Sequence, residues 1–243
     1  MTPRTALVVV PTFNERDNLP LLATALMQYP RVSLLVVDDE SPDGTGAVAD
    51  ALAREHPGRI EVMHRKTKRG LGRSYIDGIA SVIDRPFDVI CQMDADLSHD
   101  PRHLPDLIAA SAHADVVIGS RYVPGGAVVN WPRRRRLLSR VANGYIRMVT
   151  RLSPRDCTSG YRCWRREALA SVPLARFTSD GYSFLVEMLY AAIAADLRVA
   201  EVPITFVERR LGESKLTRAV LFESAITPWR LIATRNTARP APH

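Results

Sequence analysis

Residues 87–96 read Phe87-Asp-Val-Ile-Cys-Gln-Met-Asp-Ala-Asp96, an apolar run that stops on two carboxylates one residue apart. A short, nearly continuous apolar stretch suits a strand covered on both faces, as in a parallel sheet. We therefore read Phe87 to Met93 as a strand, with Asp94 and Asp96 in the turn beyond its carboxyl end. The same pattern recurs toward the N-terminus. Ala6-Leu-Val-Val-Val10 is a buried strand ended by Pro11. Val32 to Val37 is another, closing in Asp38-Asp39-Glu40-Ser41-Pro42-Asp43-Gly44, and Arg59 to His64 is a third. Helical spacing predicts Asp17 to Met27, Gly44 to Glu55 and Leu71 to Ile83 between them. Toward the C-terminus, a helix near Pro101 to Ala112 precedes a fifth strand, Asp115 to Gly119.

Strands that alternate with helices imply right-handed crossovers and a mostly parallel, Rossmann-like α/β sheet flanked by helices. Ligands of such sheets bind beyond the carboxyl ends of the strands, where both acidic clusters fall. After residue 120 the pattern loosens. Val123-Pro-Gly-Gly-Ala127 reads as a loop, Arg133 to Leu152 as an amphipathic helix and 157–166 as a strand. Tyr182 to Ala195 is helical, Val199 to Val207 a strand, and a polar loop to Lys215 leads into a last helix. No internal repeat or linker divides the chain, so one domain is expected over 1–236. The tail 237–243 has no apolar period and is expected to be disordered.

The 243 residues carry 33 Lys+Arg against 26 Asp+Glu, a formal charge of +7. The distribution says more than the sum. Four consecutive arginines, Arg133 to Arg136, are followed by Arg140, Arg147 and Arg151, whereas Asp38 to Asp50 is acidic. A basic chain can meet nucleic acid, anionic lipid or a phosphorylated small molecule. Nucleic-acid binding needs aromatic residues interleaved with the basic ones, or a docking motif, and neither is visible. Cys91, Cys157 and Cys163 lack metal-type spacing, and free thiols in a reducing compartment are expected. No signal-peptide core precedes Pro11, and no run of about 18 apolar residues could span a bilayer. The best stretch, Tyr182 to Leu197, is interrupted by Glu187. A cytoplasmic protein, free or resting on a membrane surface, is the expectation.

The Asp94 and Asp96 carboxylates can point the same way from an extended turn. Such hard oxygen ligands suit Mg²⁺ or Mn²⁺ completed by water and substrate phosphates. An acidic loop capping the helix that starts near Asp100-Pro101 is the competing reading. Asp38 and Asp39, after the second strand, are placed to hold a ribose or base; Ser41 and Asp43 alternatively cap the next helix. Pro11-Thr12-Phe13-Asn14-Glu15 lacks the glycines of a dinucleotide fingerprint. Arg133 to Arg136 can grip phosphate through their forks or simply form a solvated helix face.

Several motifs, in order, resemble the family 2 glycosyltransferases with the GT-A fold. They are Pro11-Thr-Phe-Asn-Glu15, Val37-Asp-Asp-Glu-Ser-Pro-Asp-Gly-Thr45, Gly70-Leu-Gly72 and Met93-Asp-Ala-Asp-Leu-Ser-His99. Gly119-Ser-Arg-Tyr122, Gly125-Gly126, the set Trp131, Arg135 and Ser139, and Gly212-Glu-Ser-Lys215 narrow the resemblance to the dolichol- or polyprenol-phosphate mannosyltransferases. It covers roughly residues 5–217. It implies that Pro11, Thr12, Glu15 and Asp39 line the nucleotide pocket, and that Lys68 and Arg69 approach the nucleotide phosphates. It gives the sugar-nucleotide and metal to Asp94 and Asp96. Ser98 stands where some relatives place a third, stronger ligand. Arg121, Arg135 and Ser139 would hold the acceptor phosphate, with Arg121 also counted among the catalytic residues. Arg209, Ser214 and Lys215 would lie on a loop over the donor, and Tyr182, Phe184 and Glu187 on an acceptor-side helix, where Glu187 can equally be core-facing and paired.

The implied reaction is metal-dependent, inverting transfer of mannose from GDP-mannose to polyprenyl phosphate, with GDP released. It needs few side chains. A divalent cation answers the charge growing on the leaving diphosphate. The acceptor phosphate has a second pKa of about 6 and attacks as an oxyanion, so no strong general base is expected. His99 is read as loop support. UDP-glucose or UDP-N-acetylglucosamine is the alternative donor on the same fold, since the Asp-x-Asp element does not decide the sugar. The lipid half requires a membrane surface. The Arg133 helix offers Leu137, Leu138, Val141, Ile146, Val149 and Leu152, which can lie in the headgroup zone or pack on the sheet. The last helix carries Leu221, Phe222, Ile226, Trp229, Leu231 and Ile232. Peripheral attachment at the cytoplasmic face, or through a separate membrane-protein partner, is expected.

Overall fold

A computed structural model describes residues 4–66, 70–177, 179, 181–208 and 225–233, apart from the Tyr182 side chain. Nine strands and seven α-helices are defined among the described residues, with a further helical segment at 225–233. Lys68, Arg69, Arg209, the Gly212 to Lys215 motif, Leu221, Phe222 and the tail 237–243 lie outside the described residues.

The first half alternates strand and helix as the apolar runs require. β1 (Ala6–Thr12), α1 (Leu19–Met27), β2 (Val32–Asp38), α2 (Thr45–Glu55), β3 (Ile60–His64), α3 (Leu71–Ala80) and β4 (Val89–Gln92) follow in order. β1 runs past Pro11, where the sequence ended it. β4 pairs with β1 only as far as Val9 opposite Gln92, so the missing Pro11 N–H breaks no ladder bond on that side. On the other side Pro11 and Thr12 stay in register with Val37 and Asp38.

The second half is less regular: α4 (Leu104–Ala110), β5 (Val116–Ser120), β6 (Ala127–Val129), α5 (Arg133–Thr150), β7 (Arg162–Arg165), α6 (Arg166–Ala170), α7 (Gly181–Ala194), β8 (Val199–Pro203) and β9 (Thr205–Val207). Among the described residues the main sheet has the order β3-β2-β1-β4-β7-β5-β8, and only β7 runs antiparallel, between β4 and β5. Two sequence expectations change here. Residues 199–207 break at Ile204 into β8, in the main sheet, and β9, which pairs with β6 in a two-stranded ribbon. Ala127, expected to end a loop, instead opens the other strand of that ribbon, Ala127–Val129.

Alternate strand residues feed two cores, one on each sheet face. Val8, Val10, Leu34 and Val36 pack with Leu22, Leu26, Leu104 and Leu107, while Leu7, Val9, Leu35 and Val37 pack with Tyr75, Ile79, Phe184 and Met188. Gly78 lets α3 lie close on the sheet: a Cβ there would come within 2.7 Å of Val37 and 3.0 Å of Val9. A third cluster, Ile118, Ile146, Leu152, Val186, Leu189 and Leu231, seats α5 against β5 and α7. Cys91, Cys157 and Cys163 are free and buried, and burial pushes the Cys157 thiol up to about 12. No helix among the described residues is long and apolar enough to cross a membrane.

From β1 the chain steps to β2 and β3 on one side and then to β4 on the other. Adjacent connections diverge at such a switch point and leave a crevice at the carboxyl ends of the strands. The loop after β1 and the Asp94-Ala95-Asp96 turn after β4 flank that crevice.

Candidate active site

The first wall of the crevice is the pair of loops after β1 and β2. The Thr12 hydroxyl donates to Asp38 at 3.2 Å and the Ser41 hydroxyl at 2.6 Å, holding that buried carboxylate at the strand end. The Asn14, Glu15 and Arg16 amides donate across to Ser41 Oγ, Thr45 Oγ1 and Asp43. Asp43 also takes the Thr45 amide and hydroxyl at 2.9 and 2.6 Å, so it braces the start of α2. Burial pushes the Asp43 carboxyl up, but the bonds from Thr45 and Arg16 outweigh it and hold it below the usual range. Ser41 bridges loops instead of capping the helix. The half-buried Glu15 carboxylate accepts from Asn18 Nδ2 at 2.8 Å.

Asp39 faces a residue that sequence reasoning missed. Arg65 Nη1 donates to Asp39 Oδ1 at 2.6 Å and to Ser74 Oγ at 2.7 Å, while its Nε reaches Asp77 at 3.0 Å. The Gly70 amide closes on Asp39 Oδ2 at 3.3 Å. The signal was present in register: β2 pairs with β3 up to Asp38 opposite His64, so the residues after each strand end side by side.

The second wall is the turn after β4. Asp94 and Asp96 are half-buried, with Ala95 buried between them. The Asp94 amide donates to His99 Nδ1 at 3.1 Å, and the Ser98 amide to Asp96 Oδ1 at 3.0 Å. His99 is therefore loop support, as the sequence suggested, and the turn bends through Leu97 at φ 60°. Asp100 takes the Arg102 amide at the next helical turn, so the capping role belongs to Asp100. Ser98 Oγ is buried without a hydrogen-bond partner among the described residues. The half-buried Asp94 and Asp96 carboxylates, one residue apart, are hard oxygen groups of the kind Mg²⁺ or Mn²⁺ takes.

The third wall gathers the predicted phosphate-binding residues. The Arg121 guanidinium lies 5.3 Å from the Tyr122 ring, 5.6 Å from Trp131 and 5.4 Å from Phe206. Arg135 stacks 4.2 Å from the Trp131 ring and pairs with Glu208 at the end of β9. Ser139 Oγ accepts from the Tyr122 hydroxyl at 2.7 Å. Arg121, Arg135 and Ser139 thus share one aromatic cluster, although 18 positions separate the first from the last. Arg121 is held by Asp156, a second residue that sequence reading missed: Nε and Nη2 donate to its two oxygens at 2.7 and 2.6 Å. Burial pushes the Asp156 carboxyl up, but the adjacent Arg121 charge and its hydrogen bonds win and hold it below the usual carboxylate range. The loop carrying Asp156 is fixed by fully buried Arg162, which donates to the carbonyls of Cys157, Ser159 and Leu185. Burial lowers Arg162 to about 10.

Aromatic contacts join the second and third walls. His99 stacks on Tyr161 at 5.1 Å and meets Phe206 edge-on at 5.6 Å, and Phe206 meets Trp131 at 5.3 Å. The Asp94 turn and the stacked arginine cluster are therefore joined by a continuous set of ring contacts. On α7, Phe184 is core, packed on Tyr75 and Phe177, and the Glu187 carboxylate accepts from the Ser179 amide.

The profile of Glycosyl transferase family 2 matches residues 7–172. The chain belongs to that family. This family 2 glycosyltransferase is 47% identical over 242 residues to the polyprenol monophosphomannose synthase of Mycolicibacterium smegmatis, covering 98% of this chain and 91% of that protein. It is 46% identical over 230 residues to the undecaprenyl-phosphate mannosyltransferase of Micrococcus luteus, covering 93% and 94%. Among solved structures, the glucosyl-3-phosphoglycerate synthase of Mycobacterium tuberculosis in complex with Mn²⁺, uridine diphosphate and phosphoglyceric acid matches with TM-score 0.68 at 20% identity. That match covers 98% of this chain and 80% of the synthase, and it shows a common fold.

Proposed function

We propose that this enzyme transfers mannose from GDP-mannose to a polyprenyl phosphate, with inversion, at the cytoplasmic face of a membrane. The observation that supports the reading is a chain of contacts: His99, which accepts from the Asp94 amide, meets Phe206, and Phe206 meets Trp131, on which Arg135 stacks. The names of the two mannosyltransferase relatives support the sugar and the lipid acceptor.

Pro11, Thr12, Glu15 and Asp39 line the nucleotide end, with Arg65 orienting Asp39 toward the base or ribose. Asp94 and Asp96 hold Mg²⁺ or Mn²⁺, which when bound neutralises charge on the leaving diphosphate. Lys68, Arg209 and Lys215 are assigned to the donor by resemblance alone. Arg135 grips the acceptor phosphate through its fork, and Ser139 donates a hydroxyl. Arg121, fixed by Asp156, supplies positive charge beside the attacking oxygen without needing to move. The ionised phosphate attacks the anomeric carbon as the C–O bond to GDP breaks, so an α-configured donor yields β-mannosyl phosphate. No side chain has to remove a proton.

The test is a transfer assay with radiolabelled GDP-mannose or UDP-glucose, a polyprenyl phosphate in detergent, Mg²⁺ or Mn²⁺, and an EDTA control. EDTA-sensitive label in the lipid phase from GDP-mannose alone is expected. Label from UDP-glucose alone would replace mannose while leaving the mechanism standing.

A further inference from the structure

Ser139 stands one helical turn after Arg135 on α5, so both can meet one ligand. Its carbonyl accepts from Asn143 Nδ2 at 3.0 Å, and the same Nδ2 donates to Thr158 Oγ1, also at 3.0 Å. Thr158 in turn accepts from Arg121 Nη2 at 2.9 Å, which puts Arg121 and Ser139 in one frame. A serine hydroxyl has one proton and two lone pairs. In a helix such a hydroxyl commonly donates to the carbonyl one turn back, as Thr150 does to Ile146 at 2.6 Å. Ser139 makes no such bond among the described residues.

Its partner is instead Tyr122, whose hydroxyl donates to Ser139 Oγ at 2.7 Å. A phenol is the stronger acid of two such hydroxyls, which sets the direction of donation. One Ser139 lone pair is thereby filled, and the serine proton has to point away from Tyr122. The tyrosine is itself firmly held. Its amide donates to Ser120 Oγ at 3.3 Å, at the end of β5. The Arg121 and Arg140 guanidinium groups lie 5.3 and 5.9 Å from its ring. Gly126 packs against the peptides just before it: a Cβ there would come within 2.6 Å of the Ser120 carbonyl oxygen and 2.9 Å of that of Arg121.

We infer that Tyr122 is a positioning residue of the acceptor site: its phenol fixes the Ser139 hydroxyl with the proton turned toward the acceptor phosphate. The inference rests on the proposed roles of Arg135 and Ser139 and adds a residue that acts through Ser139. Without the phenol, the Ser139 hydroxyl can turn back onto the Arg135 carbonyl, and an incoming phosphate must first break that bond. The phenol thus pre-organises a donor and brings no charge. Its removal should weigh on acceptor affinity and leave the chemical step alone.

The test is calorimetric titration of the full chain with farnesyl phosphate, a short polyprenyl phosphate, in the absence of donor. Tyr122→Phe keeps the ring between its two arginines and removes only the hydroxyl. It should weaken binding about three- to tenfold, with GDP affinity and the melting temperature unchanged. Ser139→Ala should weaken binding by a similar factor. In the Ser139→Ala background, Tyr122→Phe should then add less than about twofold, because the phenol has nothing left to orient. In transfer assays the single variants should raise the acceptor KM and keep kcat. Wild-type binding by Tyr122→Phe beside weakened binding by Ser139→Ala overturns the inference and leaves the acceptor site standing. Independent losses that multiply in the double variant overturn it as well, since the phenol would then be only a structural prop. A wild-type chain that does not bind farnesyl phosphate, or a Ser139→Ala variant that binds it like wild type, removes the acceptor assignment and the inference with it.

Discussion

At the residue scale the crevice depends on a few charges whose partners are fixed. On the proposed metal role, Asp96→Ala should lower kcat/KM by about 10²–10³ or more with a folded circular dichroism spectrum retained. Full activity in that variant would refute the metal assignment. Arg135→Ala should raise the acceptor KM with GDP affinity unchanged in calorimetry. Its partner predicts the opposite sign. Glu208 pairs with Arg135, so on the proposed reading an acceptor phosphate would displace a carboxylate. Glu208→Gln should lower the acceptor KM about two- to fivefold, the range expected for a partly exposed ion pair. Asp156 is different, since it is wholly buried. Asp156→Asn leaves Arg121 without its counter-charge, which should destabilise by about 3 kcal/mol and lower the melting temperature by about 6–12 °C. The pH dependence follows from the depressed Asp156 pKa. The carboxylate contributes stability that is full above its unfolded value of about 3.9 and is lost as pH falls through the lower folded value. The gap between wild type and Asp156→Asn in acid unfolding should therefore narrow below about pH 4.

At the element scale, helix and strand ends placed the chemistry, and helix-to-sheet packing fixes the frame. Gly78→Ala would push a methyl against Val37 and Val9, which lie within 3.0 Å of its position. We expect a loss of about 1–3 kcal/mol, seen as a lower urea midpoint with unchanged slope. Elements of this kind were legible wherever a buried apolar run met a polar stop. β1, β2 and β4 announce themselves, and the carboxylates closing β2 and β4 mark the crevice before any coordinates are known. What stayed hidden was non-local. β6 and β9 are three residues each, too short to show a period, and they exist only through each other and through the bridge from Phe206 to His99. Arg65 and Asp156 lie 26 and 35 positions from the residues they fix, and nothing in local spacing joins them. The core reading of the Arg133 helix holds for some of its apolar residues and not for others: Ile146 and the adjoining Leu152 are buried, whereas Leu137, Leu138 and Val141 are exposed.

At the scale of the whole molecule, ligand binding should register as stability. GDP with Mn²⁺ at about a hundredfold over Kd adds about 2.7 kcal/mol by mass action, a rise of about 5–11 °C in the melting temperature. In Asp96→Ala the Mn²⁺-dependent part of that rise should vanish, and its persistence would place the metal elsewhere. The position of β7 has a consequence of another kind, in the order in which the chain is made. Among the described residues β7 is the only antiparallel strand of the main sheet, and it separates β4 from β5. Until Arg165 has left the ribosome, β4 and β5 cannot be joined, and each presents an open edge to any neighbouring nascent chain. The span from Val89 to Arg165 is thus a window during synthesis in which the middle of the future sheet is its most adhesive part. Chaperone occupancy on translating ribosomes should peak there and fall once β7 is available.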